Sequence, residues 1–317
     1  MLAHRPFSTV TPPQRDGGIF RLFPSSFLPH ARDVQRLSAD EIRSVVQPAL
    51  AEDIGSGDAT TLATVPEGAA ASATMRAREP LVVAGLAVAE AAFRELSPAL
   101  KIECLAEEGQ SVKAKAVLLR ISGPARAILS AERVALNFVQ RLSGIATLTA
   151  QFVDAVRGTR AQILDTRKTT PGWRRLEKYA VVCGGGRNHR SGLFDQVLIK
   201  DNHLAALRDR KPSAVDAAVR LARAQYPRLK IEVEADTLEQ AEQAVAAGAD
   251  VVLLDNMNLA QLRLAVQKCR NRAQTEASGG VSLATVRAIA ETGVDFFSVG
   301  ALTHSARAVD VGLDFDS

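Results

Sequence analysis

Apolar and polar positions along the chain fall into two regimes. From Ser38 onward, Ile42, Val45, Val46, Ala49 and Leu50 recur at the three-to-four residue spacing of one helix face. Ser38 and Glu41 add a capping-box signal, so a helix is predicted to about Asp53. The polar stretch DIGSGDATT reads as a loop. Strand-like runs follow near 71–83, 100–105 and 117–122, with a helix predicted over 86–96. Strands and helices without strict alternation indicate an α+β domain. Pro124 then opens a long helical pattern through Ile128, Leu129, Val134, Leu136, Phe138, Val139 and Leu142.

From about residue 161 the pattern changes. Short apolar runs at AQILD, QVLIK, KIEVE, DVVLLD, AQTEAS and FFSVG alternate with helical stretches near 173–183, 202–208, 213–225, 237–247, 258–271 and 282–291. Repeated strand-then-helix units imply parallel strands joined by crossover helices. They predict an α/β barrel, with a doubly wound open sheet as the alternative.

Composition narrows the class. At 317 residues and 47% apolar, the chain can build two domains with full cores and no metal or disulfide support. Cys104, Cys183 and Cys269 stand apart without metal-ligand spacing, as expected of reduced thiols; Cys183 reads as a packed core thiol. A net charge of +4 with only 4% aromatic residues does not form the basic, stacking surface of a nucleic-acid binder. No apolar run approaches the roughly 20 residues that cross a bilayer. Residues 1–36 carry arginines, few acids and five prolines without periodicity. They are expected to form a mobile extension on a cytoplasmic protein, an organellar transit peptide being the alternative.

The six apolar runs end in polar or small residues: Asp165 to Arg167, Lys200, Glu234, Asp255, Ser278 with Gly279, and Gly300. In an α/β barrel such strand ends surround one mouth, where active sites lie. Ser278 and Gly279, before a helix predicted to start near Ser282, and Gly300 on the next run suggest phosphate binding. Residues 165–203 hold eight Lys or Arg against four Asp or Glu. Among them, Arg167, Lys168, His189, Arg190 and Lys200 suit carboxylates and pyrophosphate, because Arg offers a planar fork and Lys a point charge. Arg174, Arg175, Lys178 and Arg187 read as helix-surface charges, and Gly184 to Gly186 as a helix end. Glu234 and Asp255 fit ribose hydroxyls and a divalent cation.

The blocks DTRKTTPG, GGGRNHR and IKDNH resemble the quinolinate phosphoribosyltransferase family, with similarity from about residue 37 to the C-terminus. The resemblance implies an incomplete α/β barrel of about seven strands over 144–302, preceded by an α/β sandwich domain over 37–143 to which 303–317 return. It implies transfer of phosphoribose from phosphoribosyl pyrophosphate (PRPP) to quinolinate, with decarboxylation to nicotinate mononucleotide, and a requirement for Mg²⁺. By the same resemblance Arg133, Arg167, His189, Arg190 and Lys200 hold quinolinate, and Lys168 sits at the reacting centre. Glu234 and Asp255 serve ribose and metal, and Ser278, Gly279 and Gly300 the 5'-phosphate. The segment containing Arg133 resembles one that reaches into a neighbouring subunit, so a homodimer or larger assembly is implied. Three rivals stand: a barrel-type relative with another acceptor, a Schiff-base aldolase using Lys200, and an inert sensor of phosphorylated metabolites.

Overall fold

The computed structural model describes residues 36–316. The expected N-terminal extension therefore lies, apart from Arg36, outside the described residues. In chain order the elements are α1 (Ala39–Ile54), α2 (Ala59–Thr64), β1 (Ala70–Ala77), β2 (Leu81–Val82), α3 (Leu86–Leu96), β3 (Lys101–Cys104), β4 (Ser111–Val112), β5 (Val117–Pro124) and α4 (Ala125–Ala155). There follow β6 (Gln162–Leu164), α5 (Arg174–Cys183), β7 (Val197–Ile199), α6 (Asp201–Ala205), α7 (Ala214–Gln225), β8 (Ile231–Ala235) and α8 (Leu238–Ala246). The last are β9 (Val251–Asp255), α9 (Leu259–Cys269), β10 (Gln274–Ser278), α10 (Val286–Ala290), β11 (Phe296–Ser298), α11 (Ala301–His304) and β12 (Val311–Phe315).

Local chemistry explains where these elements start. Ser38 caps α1 as expected: Glu41 N–H donates to Ser38 Oγ and Ser38 N–H donates to the Glu41 carboxylate. The stretch read as a loop contains α2, because Asp58 Oδ1 accepts the Thr61 N–H at 3.0 Å and starts one further turn. The run read as one strand over 71–83 divides into β1 and β2. The helix expected from Ser282 begins only at Val286, since Ser282 N–H is taken by Thr285 Oγ1.

Two main sheets result. One is antiparallel in the order β12-β1-β5-β3, and Ala73 of β1 sits opposite Phe315 of β12. The other has six parallel strands in the order β6-β11-β10-β9-β8-β7, so the first of these strands in sequence lies beside the last. Arg187 adds one parallel bridge to Leu164 on the outer side of β6. All six predicted runs are strands of this sheet. Most of their apolar residues are buried, Val197, Leu198 and Phe296 being half-buried, because helices cover a parallel sheet.

Helix α4 joins the two parts: Ile128, Phe138 and Leu142 are buried in a core continuous with both sheets. Gly184 and Gly186 end α5 against α4. A Cβ on Gly184 would lie 2.4 Å from Ala146 O, so the turn requires glycine. Cys183 is fully buried there, and burial pushes its thiol pKa up, in keeping with a packed core residue.

Candidate active site

Parallel strands deliver their C-terminal ends to one edge. Register places Ser278 opposite Asp255, and Ala235 opposite Leu254, on neighbouring strands. Lys200, at the start of α6, reaches across so that its Nζ lies 2.5 Å from Glu234 Oε2. Glu234, Asp255 and Asp236, an acid the sequence reading passed over, each bring a carboxylate oxygen within 4.8 Å of the others.

Lys168 and Gly300 meet although 132 positions separate them. Thr303 Oγ1 donates to Lys168 O at 2.7 Å, and a Cβ on Gly300 would lie 2.9 Å from Lys168 Cδ. Gly279 has φ +83°, and any side chain there would strike Asn256 Oδ1 at 2.1 Å. The turns at Gly279 and Gly300 are thus kept free of side chains at the same edge as Lys168. Thr170 of the DTRKTT block is held by buried Glu177, whose carboxylate accepts from Thr170 N–H and Oγ1.

Arg167 and Arg190 lie close enough for their charges to repel. Arg190 has its pKa lowered, first by burial and then by the Arg167 guanidinium. Among the described residues no ion pair joins either guanidinium to an acid, and Arg167 Nε is a buried donor without a partner. Two neighbouring guanidiniums outside any close ion pair, one with a buried unused N–H, form a receptor for a carboxylate.

His189 points into the sheet interior. Its Nε2 lies 3.0 Å from Glu232 Oε2 and 3.5 Å from Glu276 Oε2. Burial alone would lower its pKa, but the two acids outweigh burial and raise it to about 10. Burial and the neighbouring Glu276 raise the Glu232 carboxyl to about 7. These values put a second proton on His189, yet Nδ1 accepts the Arg190 N–H at 2.8 Å and so carries none. A ring with its hydrogen on Nε2 and a free lone pair on Nδ1 satisfies both contacts. These three side chains also lie within metal-ligating reach of one another.

Several residues behave otherwise than the sequence suggested. Lys178, read as a surface charge, is 2% exposed and paired with Asp165, which is buried rather than lining the mouth. Arg174 donates to Thr169 Oγ1 and Ser191 O, and Arg175 to Glu41 of α1. Arg133 is exposed on α4, and among the described residues no hydrogen bond or ion pair links it to the other predicted site residues. Glu232 and Glu276 were missed. The signal for Glu232 was an acid inside an apolar strand, two residues from Glu234 and so on the same face, whereas Glu276 lies in the polar strand Gln274–Ser278.

Arg167 and Arg190 side by side, with Lys200 against a carboxylate cluster at the C-terminal ends of the parallel strands, define an enzyme centre for anionic substrates. The family models agree. Residues 58–143 match the quinolinate phosphoribosyl transferase N-terminal domain and residues 145–314 the C-terminal domain. The chain is 48% identical to the nicotinate-nucleotide pyrophosphorylase [carboxylating] of Mycobacterium leprae, over 87% of this chain and 97% of that one. It is 42% identical to the Arabidopsis thaliana protein named chloroplastic, over 87% of this chain and 83% of that one. The solved nicotinate-nucleotide pyrophosphorylase of Francisella tularensis superposes with a TM-score of 0.84 at 38% identity, covering 89% of this chain and 99% of that one. The chain belongs to the quinolinate phosphoribosyl transferase family.

Proposed function

We propose that this protein condenses quinolinate with PRPP and releases pyrophosphate and CO2, giving nicotinate mononucleotide for NAD biosynthesis. The observation that carries the reading is the Arg167–Arg190 pair, which among the described residues makes no close ion pair and includes a buried unused N–H on Arg167. Such a pair suits a dicarboxylate. Lys200 stands at the next strand end and Lys168 beside Gly300, where a second anion, the pyrophosphate of PRPP, is accommodated.

The pyridine nitrogen carries its lone pair at neutral pH and needs no base. The residues therefore act by positioning, and by stabilising charge as pyrophosphate leaves a ribose of oxocarbenium character. Lys168 neutralises the leaving group, and Glu234 and Asp255 orient the ribose hydroxyls. Gly279, Ser278 and Gly300 leave room for the 5'-phosphate. The alkylated nitrogen is cationic, so the electron pair left on the ring carbon by departing CO2 lies beside a positive charge until that carbon takes a proton from water.

Glu234, Asp236 and Asp255 fit Mg²⁺: three hard carboxylates converge, and Lys200 and the Asn256 amide each occupy only one oxygen of the set. When bound, Mg²⁺ supplies charge neutralisation for the pyrophosphate.

Three further readings complete the proposal. The six strands, with Arg187 beside β6 and β6 beside β11, support an incomplete barrel of about seven strands over 144–302. The antiparallel part over 37–143, completed by 303–317, forms the other domain. Arg133, exposed and among the described residues without an acid partner beyond neighbouring Glu132, is read as completing the site of a second copy in a homodimer. No helix among the described residues is long and apolar enough to cross a membrane, which is compatible with the cytoplasmic reading.

The test is stoichiometric: purified protein with quinolinate, PRPP and Mg²⁺ yields one pyrophosphate and one CO2 per nicotinate mononucleotide. Equal turnover of nicotinate without CO2 release would favour a relative with another acceptor.

A further inference from the structure

His189 is engaged at every polar atom it possesses. Its N–H donates to Asp165 Oδ1 at 2.9 Å, and its carbonyl accepts from Lys178 Nζ at 3.0 Å. In the ring, Nδ1 accepts from the Arg190 N–H at 2.8 Å while Nε2 faces Glu232 and Glu276 at 3.0 and 3.5 Å. An imidazole has two ring nitrogens, and both are used inside the protein; the side chain is 9% exposed. No nitrogen is left for a ligand.

The surroundings explain why such anchoring is needed. The segment carrying Arg190 has no strand of its own and joins the parallel sheet by a single bridge, Leu164 to Arg187. Beyond it Leu193 and Phe194 are highly exposed. The Arg190 backbone therefore depends on side-chain contacts for its position, and the one at its own N–H is His189 Nδ1. Glu232 and Glu276 are 0% and 1% exposed, and each keeps a buried carboxylate oxygen without a partner. Unsatisfied buried acids destabilise a fold and call for a functional reason. Anchoring the ring that anchors Arg190 is such a reason.

Resting on the activity proposed above, we infer that His189 does not touch quinolinate but is a positioning residue that fixes the Arg190 backbone, itself fixed by the Glu232–Glu276 pair. Arg167 and Arg190 grip the carboxylates, and the three interior residues set where the Arg190 fork stands. The inference gives Glu232 and Glu276 a role in substrate affinity although neither faces the mouth.

The experiment is a double-mutant cycle in KM, with kcat measured alongside, using Glu276→Gln, His189→Leu, Arg190→Gln and the two double variants with Arg190→Gln. Glu276→Gln and His189→Leu are each expected to raise the quinolinate KM about tenfold and leave the PRPP KM within about twofold. Added to Arg190→Gln, either change should raise the quinolinate KM less than about twofold further, because residues acting through one another do not add. A His189→Leu effect that persists undiminished in the Arg190→Gln background means direct contact and overturns the inference, as does a Glu276→Gln enzyme with wild-type KM. A stoichiometric metal in the wild-type protein that is lost in Glu276→Gln also overturns it. If His189→Leu does not fold, the isosteric Glu276→Gln arm decides alone. Absence of quinolinate turnover in the wild type defeats the proposed activity instead, so the two failures are distinct.

Discussion

Asp165 and Lys178 form an ion pair with almost no exposed surface, and each also holds the backbone of His189, one at its N–H and the other at its carbonyl. The pair thus joins β6 and α5 to the segment bearing Arg190. Replacing Lys178 with Met leaves a carboxylate in dry surroundings without its cation. The expected loss is about 3–5 kcal/mol of unfolding free energy at pH 8, read from denaturant midpoints.

Stability should also fall with rising pH through this group. Burial, only partly offset by Lys178 and the His189 N–H, raises Asp165 to about 6, whereas an unfolded Asp ionises near about 3.9. Between these values the folded state binds the proton more tightly, so the contribution is complete below about pH 4 and gone above about pH 6. Its size is roughly 3 kcal/mol. Unfolding of the wild type and Asp165→Asn, compared across pH 4 to 7, should show the wild type losing ground as pH rises; a difference that moves the other way contradicts the assignment.

Repulsion between Arg167 and Arg190 sets ligand-free stability against affinity. Arg190→Gln is expected to raise the melting temperature without ligand while weakening quinolinate binding about tenfold to a hundredfold, the loss of one charge-assisted contact. Calorimetric titration and melting curves on the same sample give both readings.

Asp236 was not singled out in the sequence, yet it stands with Glu234 and Asp255. Chelation should stop turnover and added Mg²⁺ restore it. Asp236→Asn should raise the Mg²⁺ concentration for half-maximal rate about tenfold. An unchanged Mg²⁺ dependence removes Asp236 from the site.

Exposed Arg133 leads to a mixing experiment. Arg133→Ala and Lys168→Ala are each expected to be nearly inactive, while equal parts after subunit exchange regain about a quarter of wild-type activity, since half the dimers carry one intact site of two. No recovery after verified exchange refutes the shared site.

Most of the parallel strands were legible because they are short apolar runs closed by a polar residue and spaced by helical stretches; β10, Gln274–Ser278, was legible chiefly from its place in that alternation. Their ends, Lys200, Glu234, Asp255 and Ser278, were legible for the same reason. Capping at Ser38 could be read because both partners lie within one turn. Short pieces such as α2 and β4 escaped, as one turn or two residues carry no period. Lys178 was misread because a lysine on a helix is usually solvated, and its burial depends on Asp165, thirteen positions earlier in the chain. Glu232 and Glu276 are brought together by strand pairing through β9, which local spacing does not encode.

Strand β12 lies against β1, the earliest strand in sequence among the described residues, with Ala73 opposite Phe315. A ribosome must therefore release the chain through Phe315 before that sheet can acquire its outer edge. Until then the hydrogen-bonding groups along one side of β1 wait open, a vulnerable interval during synthesis that any extension fused after Phe315 would prolong.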